Sequence, residues 1–190
     1  MTGYKGTNKD MACTKGSGTF PYQLGLNRAD QAKARSTGLH FTEDPFLVLD
    51  WYPLGSDNRY FLCEASGDIN ETDGEDSMAC TELTIIRELT VKELAGHGMM
   101  FMLRHPLRGW EKRKTMLQVR KEQAEAFCAG SIAIARGRHP KVKGPAGSFL
   151  GLLREENGMI IGARLFEAGE QIKADTWYTL DGSDPKEVQE

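Results

Sequence analysis

Four cysteines, Cys13, Cys63, Cys80 and Cys128, and four histidines, His40, His97, His105 and His139, are the metal-capable side chains of this sequence. Their spacing supports little metal chemistry. There is no Cys-x-x-Cys pair, and no two histidines have the i,i+4 separation of a helix-borne zinc site. The cysteines read as reduced, partly buried thiols. No metal and no cofactor is expected. Two loops imitate ligand loops without completing them. Lys15-Gly16-Ser17-Gly18-Thr19 has the composition of a phosphate cradle but lacks its full spacing and its strand-to-helix setting. Asp68 to Ser77, DINETDGEDS, mixes acids with Asn, Thr and Gly but lacks the ligand spacing and closing glutamate of a calcium loop. The first reads as a turn and the second as an acidic hairpin connection.

The stronger signal is charge. The net charge is −3, yet residues 1–100 carry −6, residues 101–150 carry +8 and residues 151–190 carry −5. Such asymmetry speaks to partners rather than to fold. The candidate partner-binding residues are therefore Arg108, Lys112, Arg113, Lys114, Arg120 and Lys121, followed by Arg136, Arg138, Lys141 and Lys143. Arginines among them can grip a phosphate or carboxylate with two parallel hydrogen bonds.

The elements that must position these residues form an α+β pattern. Met1 to Asn8 reads as a first strand, and Gly38 to Gly67 as the fold nucleus. In that nucleus Leu39 and Phe41 alternate with His40 as a strand, and Thr42 is the expected N-cap of a helix entered through Pro45. Arg59 to Ala65 returns as a strand, and Cys80 to Leu89 is another. Phe41, Phe46, Leu49, Trp51, Phe61, Ile85 and Leu94 are the expected core. Thr90-Val91-Lys92-Glu93 fits a capping box opening a helix, and Met99 to Leu103 is an apolar knot closed by Pro106.

Leu107 to Ala129 is rich in Glu, Lys, Arg, Gln and Ala, which predicts a long basic helix. Its Trp110, Leu117 and Ala124 recur every seven residues, a thin stripe suited to packing on a lobe or on a second copy as a homodimer. Beyond it, Ser131 to Ala135 alternates small and apolar residues. Ser148 to Glu155, Gly158 to Glu167 and Gln171 to Leu180 read as strands, with Asn157-Gly158 as a hairpin turn. The expected layout is an α+β domain over 1–105, a basic linking helix over 106–130 and a small β-rich unit over 131–190.

Several stretches together resemble a family of uncharacterised proteins common in bacteriophages and prophages. They are Gly3-Tyr4-Lys5, Gly38-Leu39-His40-Phe41 followed by Pro45, Trp51-Tyr52, Ala65-Ser66-Gly67-Asp68 and the strand Leu83 to Leu89. Ser131 to Ala135 and Ile172 to Tyr178 look like the same family's closing segment. In that family an array of short Ser/Thr/Ala/Gly repeats, suggestive of a β-solenoid, often separates the two ends. Here the array reads as absent apart from a remnant at Ser131 to Gly137. The order of strands and helix also looks distantly like the ADP-ribosyltransferase fold. That resemblance implies a use of NAD, with Glu82 or Glu88 orienting the ribose and His40 or Tyr4 at the nucleotide.

Mean hydropathy is −0.47, and no apolar run approaches the length of a membrane span. The first residues show no apolar signal-peptide core, so a cytoplasmic setting in a bacterial host is expected, away from membranes. The expected function is a non-enzymatic phage or mobile-element interaction protein. It would bind a host protein or ribonucleoprotein complex through the basic segment, in an anti-defence role such as blocking a CRISPR effector. The NAD-dependent transferase and direct RNA or DNA binding are the alternatives.

Overall fold

The computed structural model of the chain describes residues 1–14, 18–71 and 77–188. Residues 15–17 and 72–76, parts of the two ligand-like loops, lie outside the described residues. The chain divides into two compact units, residues 1–90 and 91–190. The expected α+β class is corrected: the fold is mostly β, 53% strand against 12% helix.

The first unit contains β1 (Thr2–Thr7), β2 (Ala12–Cys13), β3 (Phe20–Pro21), β4 (Gly25–Arg28), β5 (Leu39–Thr42), β6 (Arg59–Asn70) and β7 (Ser77–Leu89). Between β5 and β6 a 3-10 turn, Pro45–Leu47, runs into the four-residue helix α1 (Val48–Trp51). β1 lies between β5 and β6, and both of those pair with β7, so four strands close into a ring. Alternation decides what the ring encloses. Leu39 and Phe41 of β5, Phe61, Cys63 and Ala65 of β6, and Met78, Cys80, Leu83 and Ile85 of β7 form its buried cluster. Fully burying a side chain such as Phe41 or Phe61 contributes about 1.5–3 kcal/mol. Closure requires β6 to curl. It does so at Gly67, whose φ is +71° and where a Cβ would collide with the Thr81 hydroxyl. The Asp68 N–H donates to that hydroxyl at 2.9 Å across a shift in register.

Two details of the nucleus differ from expectation. Asp44, not Thr42, caps the helical turn, its carboxylate accepting from the Phe46 N–H at 2.9 Å. Thr42 instead donates to the Asp44 carbonyl. Trp51, expected in the core, is 40% exposed. A helix of only four residues ends before a second turn could bring its ring inward.

The second unit begins with α2 (Val91–Arg104) and continues with β8 (Lys112–Lys114), β9 (Leu117–Glu125), β10 (Ile132–Lys143), β11 (Phe149–Glu156), β12 (Met159–Glu167), β13 (Tyr178–Asp181) and β14 (Asp184–Glu187). The basic linking helix over 106–130 is thus replaced by two strands and their connections. The three-segment layout gives way to one boundary after Thr90, and α2, expected to close the first domain, packs on β11 and β12.

β9, β10 and β11 run parallel: Leu117 pairs with Ile132, and Ile132 with Phe149. With such short connections, parallel pairing requires the chain to coil back and stack on itself, as in a short β-solenoid. The stacking is visible at the corners. Gly130 donates to the Gly147 carbonyl at 2.8 Å, and Gly147 to the Ala168 carbonyl at 2.8 Å. At the same corners the Ser131 hydroxyl donates to the Cys128 carbonyl, and the Ser148 hydroxyl to that of Pro145. Ala129-Gly130-Ser131 and Ala146-Gly147-Ser148 are therefore one repeated corner. Small residues suit the narrow interior, where Ala124, Ala126, Ala133 and Ala135 join Val142, Leu150, Leu152, Phe166, Tyr178 and Leu180. On the outer face α2 buries Leu94, Ala95, Met99 and Met102, and Gly151 leaves room for the Met99 sulfur.

Candidate functional site

The ten basic residues are dispersed over the second unit. The Arg108 guanidinium lies 5.5 Å from the Phe101 ring centroid, just past α2. On β8, Lys112 opposes Val119 and Lys114 opposes Leu117, whereas Arg113 opposes Gln118. Opposed residues share a face, so Arg113 lies across the sheet from its two neighbours. Burial holds the Lys114 ammonium below its ordinary pKa. Arg113 pairs with Glu111 at 3.5 Å, and Arg120 donates to Gln118 at 3.0 Å. Lys143 pairs with Glu125 at 3.3 Å and lies over the Trp177 ring, while Lys141 is half-buried two residues earlier on β10.

Lys121, Arg136 and Arg138 do come together. They line a cavity of about 480 Å³ with Trp110, Glu122, Glu155, Glu156 and Asn157. Arg136 is 2% exposed, which is unusual for an arginine and requires partners. Its Nε donates to Glu155 at 2.6 Å, its Nη2 to the Pro106 carbonyl at 2.8 Å, and its plane lies 4.9 Å from the Trp110 centroid. Its Nη1 is buried without a hydrogen-bond partner. Glu122, at a corner with φ +62°, accepts from the backbone N–H groups of Arg138 and His139, both at 2.9 Å. Gly137 permits this, since a Cβ there would occupy the Glu122 carboxylate.

The carboxylates proposed for NAD chemistry are engaged elsewhere. Glu82 pairs with Arg28 at 3.2 Å and accepts from Ser66. Glu88 accepts two bonds from Arg59, at 2.9 and 2.6 Å, and these hold its carboxyl below the usual range. Tyr4 and His40 line a separate cavity of about 400 Å³ within the first unit, and no carboxylate lines it among the described residues. No group of three His, Cys, Asp or Glu side chains suited to a metal occurs among the described residues, and none of the four cysteines is in a disulfide.

A protein-family model described as a domain of unknown function (DUF7666) matches residues 1–97. The chain belongs to this family. The DUF7666 match takes in the whole closed ring and the first half of α2, and the coils of the second unit lie beyond it. No curated protein and no solved structure matches the chain. No helix is long and apolar enough to cross a membrane among the described residues.

The Arg136 cavity was only partly legible in the sequence. The cations were visible as charge; the burial of Arg136 and its glutamate were not. The alternation Ala133, Ala135 inward and Ile134, Arg136 outward was the available signal.

Proposed function

We propose that this DUF7666 protein is a non-enzymatic interaction protein of phage or mobile-element origin, acting in the cytoplasm of a bacterial host. Its second unit would receive an acidic group, carboxylate or phosphate, from a host protein or ribonucleoprotein. One observation carries this reading: Arg136 is buried with one unpartnered Nη1 in a cavity flanked by Lys121 and Arg138. Two of the three lining glutamates are already committed, Glu155 to Arg136 and Glu122 to two backbone N–H groups. An arriving oxyanion supplies the missing acceptor, and a hydrogen bond to a charged group of this kind is worth about 1.5–3 kcal/mol. Exposed cations at the rim speed encounter and fix orientation.

The test uses a tagged full-length chain in bacterial lysate, compared with the double variant Lys121→Glu, Arg138→Glu. Partners retained by the wild type at low salt should be lost by the variant, and the difference should shrink as salt screens the charges. An unchanged set of bound partners would refute the assignment.

A further inference from the structure

The first unit holds a second cavity, with an aromatic wall and one incomplete polar group. On the outer side of the closed sheet, Tyr4 and Gly6 of β1 share a face with His40 and Thr42 of β5, because Tyr4 pairs with Thr42. The helix α1 packs against β1 there. Gly6 admits the Tyr52 ring, which a Cβ would meet at 2.7 Å. Tyr52 is then fixed at both ends: its hydroxyl donates to the Cys13 sulfur at 3.1 Å, and its carbonyl accepts from the Tyr60 hydroxyl at 2.9 Å. The cavity has a volume of about 400 Å³, and Tyr4, His40, Trp51 and Tyr52 line it. The Trp51 indole, left out of the core, is available to a ligand there.

The incomplete group is His40, whose Nε2 is buried with no hydrogen-bond partner. The imidazole makes one hydrogen bond to the backbone of Gly38, in the sense that favours its proton. Since Nε2 has no partner, that bond belongs to Nδ1, which donates to the carbonyl. In a neutral imidazole so arranged, Nε2 is an acceptor. Two influences keep the imidazole neutral. Burial lowers its pKa first, and the charge of Lys5 adds to this. Lys5 alternates with Tyr4 and so projects into the closed sheet, where its ammonium lies 4.8 Å from the Tyr22 ring centroid. It therefore acts on His40 from the opposite face of β1 and takes no part in the cavity's own chemistry. A buried acceptor wants a donor. An anionic oxygen brings only lone pairs to it, and a plain hydrocarbon brings nothing. Arg35, exposed at the same cavity, is already engaged.

We infer that this cavity binds a neutral flat ring carrying an N–H donor, with His40 Nε2 accepting that hydrogen and Trp51 lying beside the ring. The site lies in the DUF7666 portion and is independent of the Arg136 cavity. The aromatic side chains supply contact area, and the imidazole supplies the choice between ligands. A site that accepts a hydrogen bond from its ligand discriminates against an analogue of equal size that lacks the donor, because the buried acceptor is then left unpaired.

The experiment is calorimetric titration of the full chain with two pairs of isomers: 3-methylindole against 1-methylindole, and 2-methylbenzimidazole against 1-methylbenzimidazole. In each pair the first ring keeps its N–H and the second has lost it, at equal volume. Indole-3-carboxylate is the charge control. The protein is labelled with 5-fluorotryptophan so that Trp51, Trp110 and Trp177 are read separately by fluorine NMR. In at least one pair the N–H isomer should bind about ten-fold more tightly or better. Only the Trp51 resonance should move, and the carboxylate should gain nothing over 3-methylindole. His40→Phe should bring the two isomers to equal affinity. If that variant does not fold, imidazole ¹⁵N NMR of the wild type reads the same contact: the His40 Nε2 resonance should shift with the N–H isomer and not with its partner. The inference is overturned if no isomer binds, if isomers bind equally to the wild type, if the carboxylate binds ten-fold more tightly, or if Trp51 or Nε2 fails to respond.

Discussion

Replacing Lys5 by Met should make the protein more stable, and the gain should depend on pH. Methionine has a similar length and fills the same space beside Tyr22 without a charge. Exchanging a buried charge for a well-packed apolar side chain is worth about 1–4 kcal/mol in comparable cases. For a unit of this size, about 1 kcal/mol corresponds to roughly 4–8 °C in melting temperature. Desolvation holds the Lys5 pKa below the ordinary 10.5. Between the lowered value and 10.5 the unfolded chain therefore binds a proton that the folded protein does not. Wild-type stability consequently rises with pH through that window, by at most about 1.4 kcal/mol per pH unit, and is lost as pH falls through it.

The nearby thiols act in the opposite sense. Burial raises Cys63 to about 12 and Cys80 to about 11 from 9.0, so above that ordinary value the unfolded chain loses thiol protons first. Both proteins carry these thiols and His40, whose ordinary pKa of 6.5 is lowered by burial. The difference between the two proteins therefore reports Lys5 together with its effect on Cys63 and Cys80, whose pKa values its charge lowers. Urea unfolding from pH 7.5 to 10 should show Lys5→Met ahead by a margin that narrows as pH rises. A variant less stable throughout, or a margin independent of pH, would refute the reasoning.

Phe61→Ala should cost about 3–5 kcal/mol, because the ring is fully buried in the closed sheet; equilibrium urea melts measure it. Glu155→Gln removes the carboxylate from a buried guanidinium and should cost up to about 3–5 kcal/mol, with Arg136→Met less harmful than the glutamine variant. Gly137→Ala should expel the Glu122 carboxylate from its two amides, accelerating hydrogen exchange at Arg138 and His139 well above that at Val142. An unchanged exchange pattern there would show that the corner adapts without the glutamate.

The ring was legible where alternation was strong. Phe41, Phe61 and Ile85 read as core and are core, because each sits on a strand with one face inward. Trp51 was misread because its neighbours predict a helix, and nothing local reveals that the helix stops after four residues. The basic segment failed for a different reason. Glu, Lys, Gln and Ala favour helix, yet propensity is a weak prior beside hydrogen bonds to stacked coils. The counter-evidence was present: Leu117 and Val119 alternate, and Ala-Gly-Ser recurs at Ala129 and Ala146. Neither cavity could have been read locally. Tyr4 and His40 share a face only because β1 and β5 pair, and Arg136 reads as a surface cation until Pro106 and Glu155 are seen to enclose it.

The closed ring also sets a timetable for synthesis. β1 leaves the ribosome before its β6 partners, Arg59 to Glu64, which follow 52 to 62 residues later. At roughly 5–20 residues per second, the nascent strand waits on the order of 3–12 s before that pairing can form. During this interval Lys5 is hydrated and charged, because its burial waits for the ring to close. The coils of the second unit face no such delay, since β10 can dock on β9 as soon as it emerges. Slowing translation should therefore lengthen the exposure of β1 to proteases and chaperones while leaving assembly of the coils unaffected.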